Sequence, residues 1–299
     1  MDNNSFFVTT PIYYVNDVPH IGHAYTSIAC DVLARFNRLN NKNTIFLTGT
    51  DEHGLKMEQA AKKKNMDTKK FVDEMSLNFK KLTKILNLSN DFFIRTTDEF
   101  HKKASQHIWN ILEKNDQIYL DKYKGWYSIN DEAYFNDNEI STDKKTKKKV
   151  APSGHEVQWV EEESYFFKLS KWQSKLLDYY QKNPDFIAPE SRKNEVISFV
   201  KRGLNDLSIS RTTFSWGIEV PNDKKHVMYV WLDALINYLS AIGYPDKKYK
   251  KFWPANVHVI GKDIIRFHAI YWPAFLLAAD IEPPKRIFAH GWWTNEGKK

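Results

Sequence analysis

The 299-residue chain has a single cysteine, Cys30. That excludes an internal disulfide and any zinc site built from several thiolates. Arginine is also scarce, supplying only eight of the 44 basic residues. Surfaces that read phosphate usually combine arginine forks with lysine. The formal net charge of +7 therefore permits a polyanionic partner without pointing to one. No apolar run reaches the ~18 residues of a membrane span, and no basic-then-apolar segment opens the chain. There is no internal repeat and no low-complexity linker. These absences read as a soluble, cytoplasmic chain with no membrane partner. At this length a sizeable core can form, in one large domain or two.

What is present concentrates near the start. Ser5 to Thr10 is a β-branched and aromatic run that predicts a buried strand, and Pro11, Asn16, Asp17 and Pro19 break it into a loop. Ala24, Ile28, Val32, Leu33 and Phe36 recur at helical spacing, so a helix starts near Ile21. Cys30 falls on that helix and reads as a packed small hydrophobe. His20 and His23 then sit at a helix N-terminus just past a strand end, where ligands bind in open α/β sheets. Such a terminus offers N–H groups and the positive dipole end, which suits phosphate, and Gly22 lets a ligand approach the backbone. A bare H-x-x-H is more often one turn of a surface helix; its position at a strand–loop–helix junction reverses that preference.

Further along, Thr44 to Thr50 predicts a second buried strand, followed by Asp51-Glu52-His53-Gly54. A β–α–β unit of this length implies a parallel pair with a right-handed crossover, which brings Asp51 to the same rim as the first loop. Its carboxylate suits an amino group there, or equally an N-cap for a helix starting near Gly54. Helices are expected at 55–65, 68–86 and from Asp98 to 115, with a strand at 91–97. The segment from Asp116 is aromatic and turn-rich, with hairpin-like stretches at 118–130, 132–140 and 157–165. The lysine run 142–149 reads as a solvated loop rather than a phosphate contact. Helices are expected at 166–183 and 195–203, and an apolar helix starts at Tyr229. A strand at 257–260 is followed by Gly261-Lys262-Asp263 and then by an apolar helix to Ala279 that carries His268 and Trp272, and a final strand lies at 286–289.

Pro11-Ile12-Tyr13-Tyr14 with His20-Ile21-Gly22-His23 resembles the nucleotide-binding signature of class I aminoacyl-tRNA synthetases, in the form found in the methionyl-tRNA synthetase family. The resemblance continues in order through Thr48-Gly49-Thr50-Asp51-Glu52-His53-Gly54, Asp206-Leu207-Ser208-Ile209-Ser210-Arg211, Tyr229-Val230-Trp231-Leu232-Asp233-Ala234, Gly261-Lys262-Asp263-Ile264 and His290-Gly291-Trp292. It covers essentially the whole chain. It implies an α/β fold, a Rossmann-like parallel sheet with helices on both faces, split by an inserted α+β connective-peptide domain. The catalytic halves would be 1–115 and 212–299, and the insertion 116–211.

The implied activity is that of a methionine–tRNA ligase. L-Methionine and ATP, with Mg²⁺, give methionyl-adenylate, and the methionyl group then passes to tRNA(Met). Attack of a carboxylate on the α-phosphate needs positioning and charge stabilisation more than a covalent intermediate, which suits a chain with no candidate nucleophile. By the resemblance, His20 and His23 are catalytic donors to phosphate oxygens, each worth roughly 2–4 kcal/mol by analogy with oxyanion-hole donors. Gly22, Gly261, Asp263, His290, Gly291 and Lys299 are expected on the ATP side. Pro11, Ile12, Tyr14, Trp231, Leu235, Tyr238, Ile264, His268 and Trp272 are expected around methionine, and Asp51 on its ammonium. Aromatic rings suit a polarisable thioether. His268 reads equally as a hydrogen-bonded core histidine. Arg211 is expected to steady pocket carboxylates such as Asp263.

Two departures from the family pattern stand out. Tyr127-Ser128-Ile129-Asn130-Asp131-Glu132 replaces a Cys-x-x-Cys knuckle, and Asp131 with His155 makes a poor zinc site; a metal-free knuckle is expected. The family's mobile lysine loop would begin at Lys299, so the chain reads as a truncated catalytic core whose anticodon contacts lie outside it. Two rival readings are a non-catalytic RNA- or nucleotide-binding module and another nucleotidyl transferase of the same superfold. The paired histidines oppose the first, and Tyr14 with Trp231 and Trp272 opposes the second.

Overall fold

A computed structural model of the chain describes residues 4–131, 133–135, 137, 139–144 and 146–293. β1 (Ser5–Thr9) and β2 (Tyr13–Tyr14) lead into α1 (Ile21–Leu39). β3 (Asn43–Asp51), α2 (Leu55–Lys63), α3 (Thr68–Ile85), β4 (Phe92–Arg95) and α4 (Glu99–Lys114) follow. Next come β5 (Ile118–Ser128), β6 (Ala133–Phe135), the two-residue β7 (Ser141–Thr142) and β8 (Lys149–Val150), and β9 (Gln158–Phe167). α5 (Gln173–Lys182), β10 (Ile187–Ala188) and α6 (Glu190–Lys201) restore the helical pattern. β11 (Leu207–Ser208), β12 (Ser210–Arg211), β13 (Glu219–Val220) and β14 (Asp223–Met228) run up to α7 (Val230–Ser240). β15 (Val257–Gly261), α8 (Trp272–Ala278) and β16 (Ile287–His290) complete the order.

β1 and β3 are nearly continuous apolar and threonine runs, almost wholly buried, as parallel strands covered on both faces must be. The main sheet runs β10-β16-β15-β1-β3-β2, with β4 also on β3, and its pairings are parallel. Neighbouring β1 residues face opposite sides. Val8 packs with Cys30 and Ala34 of α1, and Phe7 with residues of α4, α7 and α8. The architecture is thus the expected Rossmann-like α/β sheet with helices on both faces. Chain order runs from β1 to β3 and β4 one way and to β15 and β16 the other. The reversal between β1 and β15 opens a crevice at the strands' carboxyl ends. Thr9, Asp51, Gly261 and His290 end four of those strands.

A second, antiparallel sheet, β11-β9-β5-β6, holds most of the expected insertion, with β5 and β9 in register from Ile118↔Phe167 to Tyr127↔Gln158. Yet β10, inside the span 116–211, pairs with β16 at the edge of the main sheet. A two-residue strand carries no periodicity to read. β12 pairs with β14 across the 211/212 boundary. Among the described residues no helix is long and apolar enough to cross a membrane.

Several local expectations are corrected. Phe166 and Phe167 end β9, and helix α5 starts only after a 3-10 turn at 169–172. α6 begins at Glu190, directly after Pro189 at its N-cap, not at Glu195. The helix expected after Gly261-Lys262-Asp263 does form, from 265 to 278, but a 3-10 turn at 262–264 leads into it and a π-turn at 267–271 interrupts its regular winding before α8. On α1 the apolar stripe is not the buried face. Ile28, Val32, Leu33 and Phe36 are exposed, and Thr26, Ser27, Cys30, Asp31, Ala34 and Asn37 are buried. Small residues let the helix lie close on the sheet, and Asp31 holds Ser89 through its backbone N–H and hydroxyl, both 2.6 Å away.

Candidate active site

Helix α1 begins with a reciprocal cap made by the two histidines. His20 is the N-cap. Its Nδ1 accepts from the Gly22 N–H (3.1 Å), and the His23 Nδ1 accepts from the His20 N–H (3.0 Å). The two rings lie 3.8 Å apart between centroids. Since each Nδ1 accepts, the proton of each neutral ring is on Nε2. The His23 and Ala24 N–H groups bond to the His20 carbonyl. The Gly22, His23 and Ala24 N–H groups are thus already bonded at this end, and the imidazole Nε2–H groups are further donors there. Gly22 is required for this cap, because a Cβ there would stand 2.9 Å from the His20 ring.

A cavity of about 560 Å³ opens from this corner, within the usual range for a small-molecule site. It brings together His20, Gly22, His23, Pro11, Ile12, Tyr14, Asp51, Trp231, Leu235, Tyr238, Gly261, Asp263, Ile264, His268, His290 and Gly291. These residues come from both ends of the chain, joined by contacts such as Thr26 Oγ1 to His290 Nε2 at 2.8 Å. Asp51 ends β3 opposite Tyr14 and is 3 % exposed. Gly54 is the N-cap of α2, so the alternative reading of Asp51 as that cap is set aside. On the other wall, Trp231 stacks on Phe267 at 3.6 Å. Tyr238 Oη lies 2.7 Å from His268 Nε2, whose Nδ1 is 3.0 Å from the Ile264 carbonyl. His268 thus lines the cavity and is hydrogen-bonded at once. At the rim formed by the ends of β15 and β16, Asp263 accepts from Trp292 Nε1 (3.2 Å), and a Cβ on Gly261 would stand 2.6 Å from the Asp263 carboxylate.

Two expected residues lie elsewhere. Trp272 is fully buried and packs on Tyr238 and Trp253 behind the wall rather than lining the cavity. Arg211 does not meet Asp263. It donates to Ser208 Oγ (3.0 Å) and the Ser210 carbonyl (2.6 Å), lies 3.9 Å from Glu162, and sits over the Tyr229 ring. The β12–β14 pairing turns it toward the inserted sheet. Lys299 lies outside the described residues, as does Glu132 of the knuckle. There Asp131 accepts from Ser128 Oγ (2.7 Å) and Ser153 Oγ (2.6 Å) and lies 2.8 Å from His155 Nδ1. Among the described residues no cluster of His, Cys, Asp or Glu is placed to hold a metal ion.

The sequence reading missed Phe267 and Asn237, for which an aromatic beside His268 and an amide beside Tyr238 were the available signals. It also assigned nothing to Asp233, although an acid inside an apolar helix is a visible anomaly.

Burial sets the charge state of three histidines. It pushes the His23 imidazole down to about 3, with His20 adding to the effect. It pushes His268 down to about 4 against the opposing pull of the Ile264 carbonyl and Asp263. It holds His258 well below its ordinary range, His268 adding to this. Each is neutral near pH 7. As pH falls below about 6.5 the unfolded chain takes up protons that the folded chain refuses, so stability falls with falling pH. The expected result is a urea midpoint steady from pH 8 to 7 and declining continuously from about pH 6.5 toward 4. A midpoint flat across that lower window would contradict the burial of these rings.

The family model described as tRNA synthetases class I (M) matches residues 6–299. The methionine–tRNA ligase of Rickettsia bellii is 63% identical over 299 residues, covering 99% of this chain, and that of Rhizobium meliloti is 56% identical over 301 positions, covering 100% of it. Mycobacterium tuberculosis methionyl-tRNA synthetase in complex with methionyl-adenylate superposes with a TM-score of 0.96 at 52% identity, covering 98% of this chain. The apo form of that enzyme gives 0.84. The chain spans about 58% of the length of these curated relatives. With the capped histidine pair, the acid at the end of β3 and the motif order all in place, the chain belongs to the class I tRNA synthetase family of the methionyl type.

Proposed function

We propose that the cavity binds L-methionine and ATP and joins them as methionyl-adenylate, and that the longer protein passes the methionyl group to tRNA(Met) in the cytoplasm. One observation carries this reading: a reciprocally capped histidine pair, a buried carboxylate and an aromatic box share one cavity. Asp51 takes the substrate ammonium. Tyr14, Ile12, Trp231, Leu235 and Tyr238 enclose the thioether, whose sulfur–aromatic contacts are worth about 0.3–1.5 kcal/mol each. The amino acid's carboxylate then points toward the α1 terminus, where the Nε2–H groups of His20 and His23 meet the phosphate oxygens. Gly261, Asp263, His290 and Gly291 receive the adenosine. ATP enters as its Mg²⁺ complex, the ion held by its phosphates. The second substrate, tRNA(Met), meets its anticodon contacts outside these residues.

A thermal-shift series tests the amino-acid assignment. A ligand that binds only the folded chain raises its melting temperature. Methionine at saturating concentration is expected to raise it by several degrees, and leucine and valine to leave it unchanged. A shift with leucine or valine, or none with methionine, would reject the assignment.

A further inference from the structure

Three residues from three elements meet behind the α7 wall. Asp233 of α7 is fully buried, with Oδ2 2.6 Å from His53 Nδ1 and Oδ1 2.7 Å from His101 Nε2. His101 belongs to α4, and its Nδ1 lies 2.8 Å from Ser240 Oγ at the end of α7. A carboxylate only accepts, so each ring nitrogen facing it carries the proton. Burial alone raises the Asp233 carboxyl, but the two imidazoles outweigh it and hold the group below its ordinary value.

Packing does not require an acid here, since an apolar residue of similar volume generally serves a core as well. What the carboxylate supplies is direction. His53 lies two residues after Asp51, on the loop that leaves β3. Trp231, Ala234, Leu235 and Tyr238, on the same helix as Asp233, line the cavity. Trp216 closes the loop from its other side, with its indole N–H 2.6 Å from the Glu52 carbonyl and its ring edge on His53 at 5.6 Å. The His53–Asp233 bond is therefore a direct tie between the carboxylate side of the pocket and its aromatic side.

We propose that Asp233 and His53 are positioning residues for the amino-acid half of the cavity, setting the separation of Asp51 from the α7 wall, while the His101 bond anchors α7 to α4. The proposal rests on the reading of that half as a methionine site. Because the tie touches only that side, it predicts a selective defect: the amino acid loses affinity and the nucleotide does not.

The test titrates the 299-residue chain calorimetrically with L-methionine and, separately, with ATP. Asn keeps an N–H donor near the imidazole Nδ1 position, and Ala removes it. His53→Ala and Asp233→Asn are expected to weaken methionine about tenfold or more, with ATP affinity within about twofold of the parent. His53→Asn is expected to stay within about threefold for both ligands, and His101→Ala to lower the melting temperature with methionine affinity within about threefold. Should His53→Ala not fold, His53→Gln, whose donor reaches the Nε2 position instead, is expected to fold and reproduce the selective loss. Unchanged methionine affinity in folded His53→Ala (or His53→Gln) and Asp233→Asn, a parallel loss of both ligands in them, or a His53→Asn variant as defective as His53→Ala would each overturn the proposal. A parent chain that binds no methionine would overturn the functional reading, and this one with it.

Discussion

His20→Asn is expected to slow adenylate formation in the longer protein about 100- to 1000-fold, the usual loss when one preorganised donor to a developing oxyanion is removed. The choice of Asn matters, because His20 has two jobs at one helix end. Its Nδ1 caps α1 by accepting from Gly22, and its Nε2–H is the donor assigned to phosphate. Removing a cap costs about 1 kcal/mol of stability, so His20→Ala mixes a folding defect with a chemical one. Asn is a strong capping residue whose amide oxygen accepts in place of Nδ1. It leaves no donor at the Nε2 position. Pyrophosphate exchange therefore falls while the melting temperature stays close to the parent's. The same substitution at His23 is expected to act in the same direction, and the double variant to lose less than the product of the two, since the rings lie 3.8 Å apart and share one helix cap. An exchange rate within tenfold of the parent in a well-folded His20→Asn variant would remove the histidine pair from the chemistry.

Asp51→Ala is expected to weaken methionine about 30-fold or more in direct titration of this chain. Truncating one partner of a buried, hydrogen-bonded charge pair costs about 2–5 kcal/mol, and each 1.4 kcal/mol is tenfold in affinity. Asp51 is held at the end of a central strand, so the chain places its charge without ordering a flexible side chain at the moment of binding. Asp51→Asn keeps the shape and loses the charge, and should fall between parent and Ala. ATP, on the far side of the cavity, should bind the Ala variant as it binds the parent. Methionine bound with undiminished affinity would strip Asp51 of its role and leave the cavity without an ammonium site.

Much of this was legible in the sequence. The start of α1 at Ile21 and, to within one residue, the ends of β1, β3, β15 and β16 follow from capping, turn and β-branched signals acting over a few residues. Because strand ends in a parallel sheet share one rim, those local readings also placed the site. The paired histidines with one glycine between them defined the donor geometry before any tertiary contact entered, since the cap is closed within four residues.

Other features were settled only by segments far apart in the chain. The periodic apolar residues of α1 predicted its helix correctly but not its buried side, because the sheet accepted the small face and left Ile28, Val32 and Phe36 outside. Trp272 looked like a pocket wall and became core, because Tyr238 and Trp253 from distant segments pack over it. Arg211 was expected to face Asp263, and strand pairing carried it to Glu162 and the serines of the inserted sheet. Asp233, unremarked within its apolar helix, acquired meaning when His53 and His101 closed on it from 180 and 132 residues away. By itself, then, the sequence determined the elements, their ends and the chemistry carried on each, because propensity and capping depend on neighbours in the chain. Which faces pair, and which polar groups must share a buried partner, only the tertiary structure decided, because those outcomes depend on desolvation and packing among residues that meet nowhere but in the folded chain.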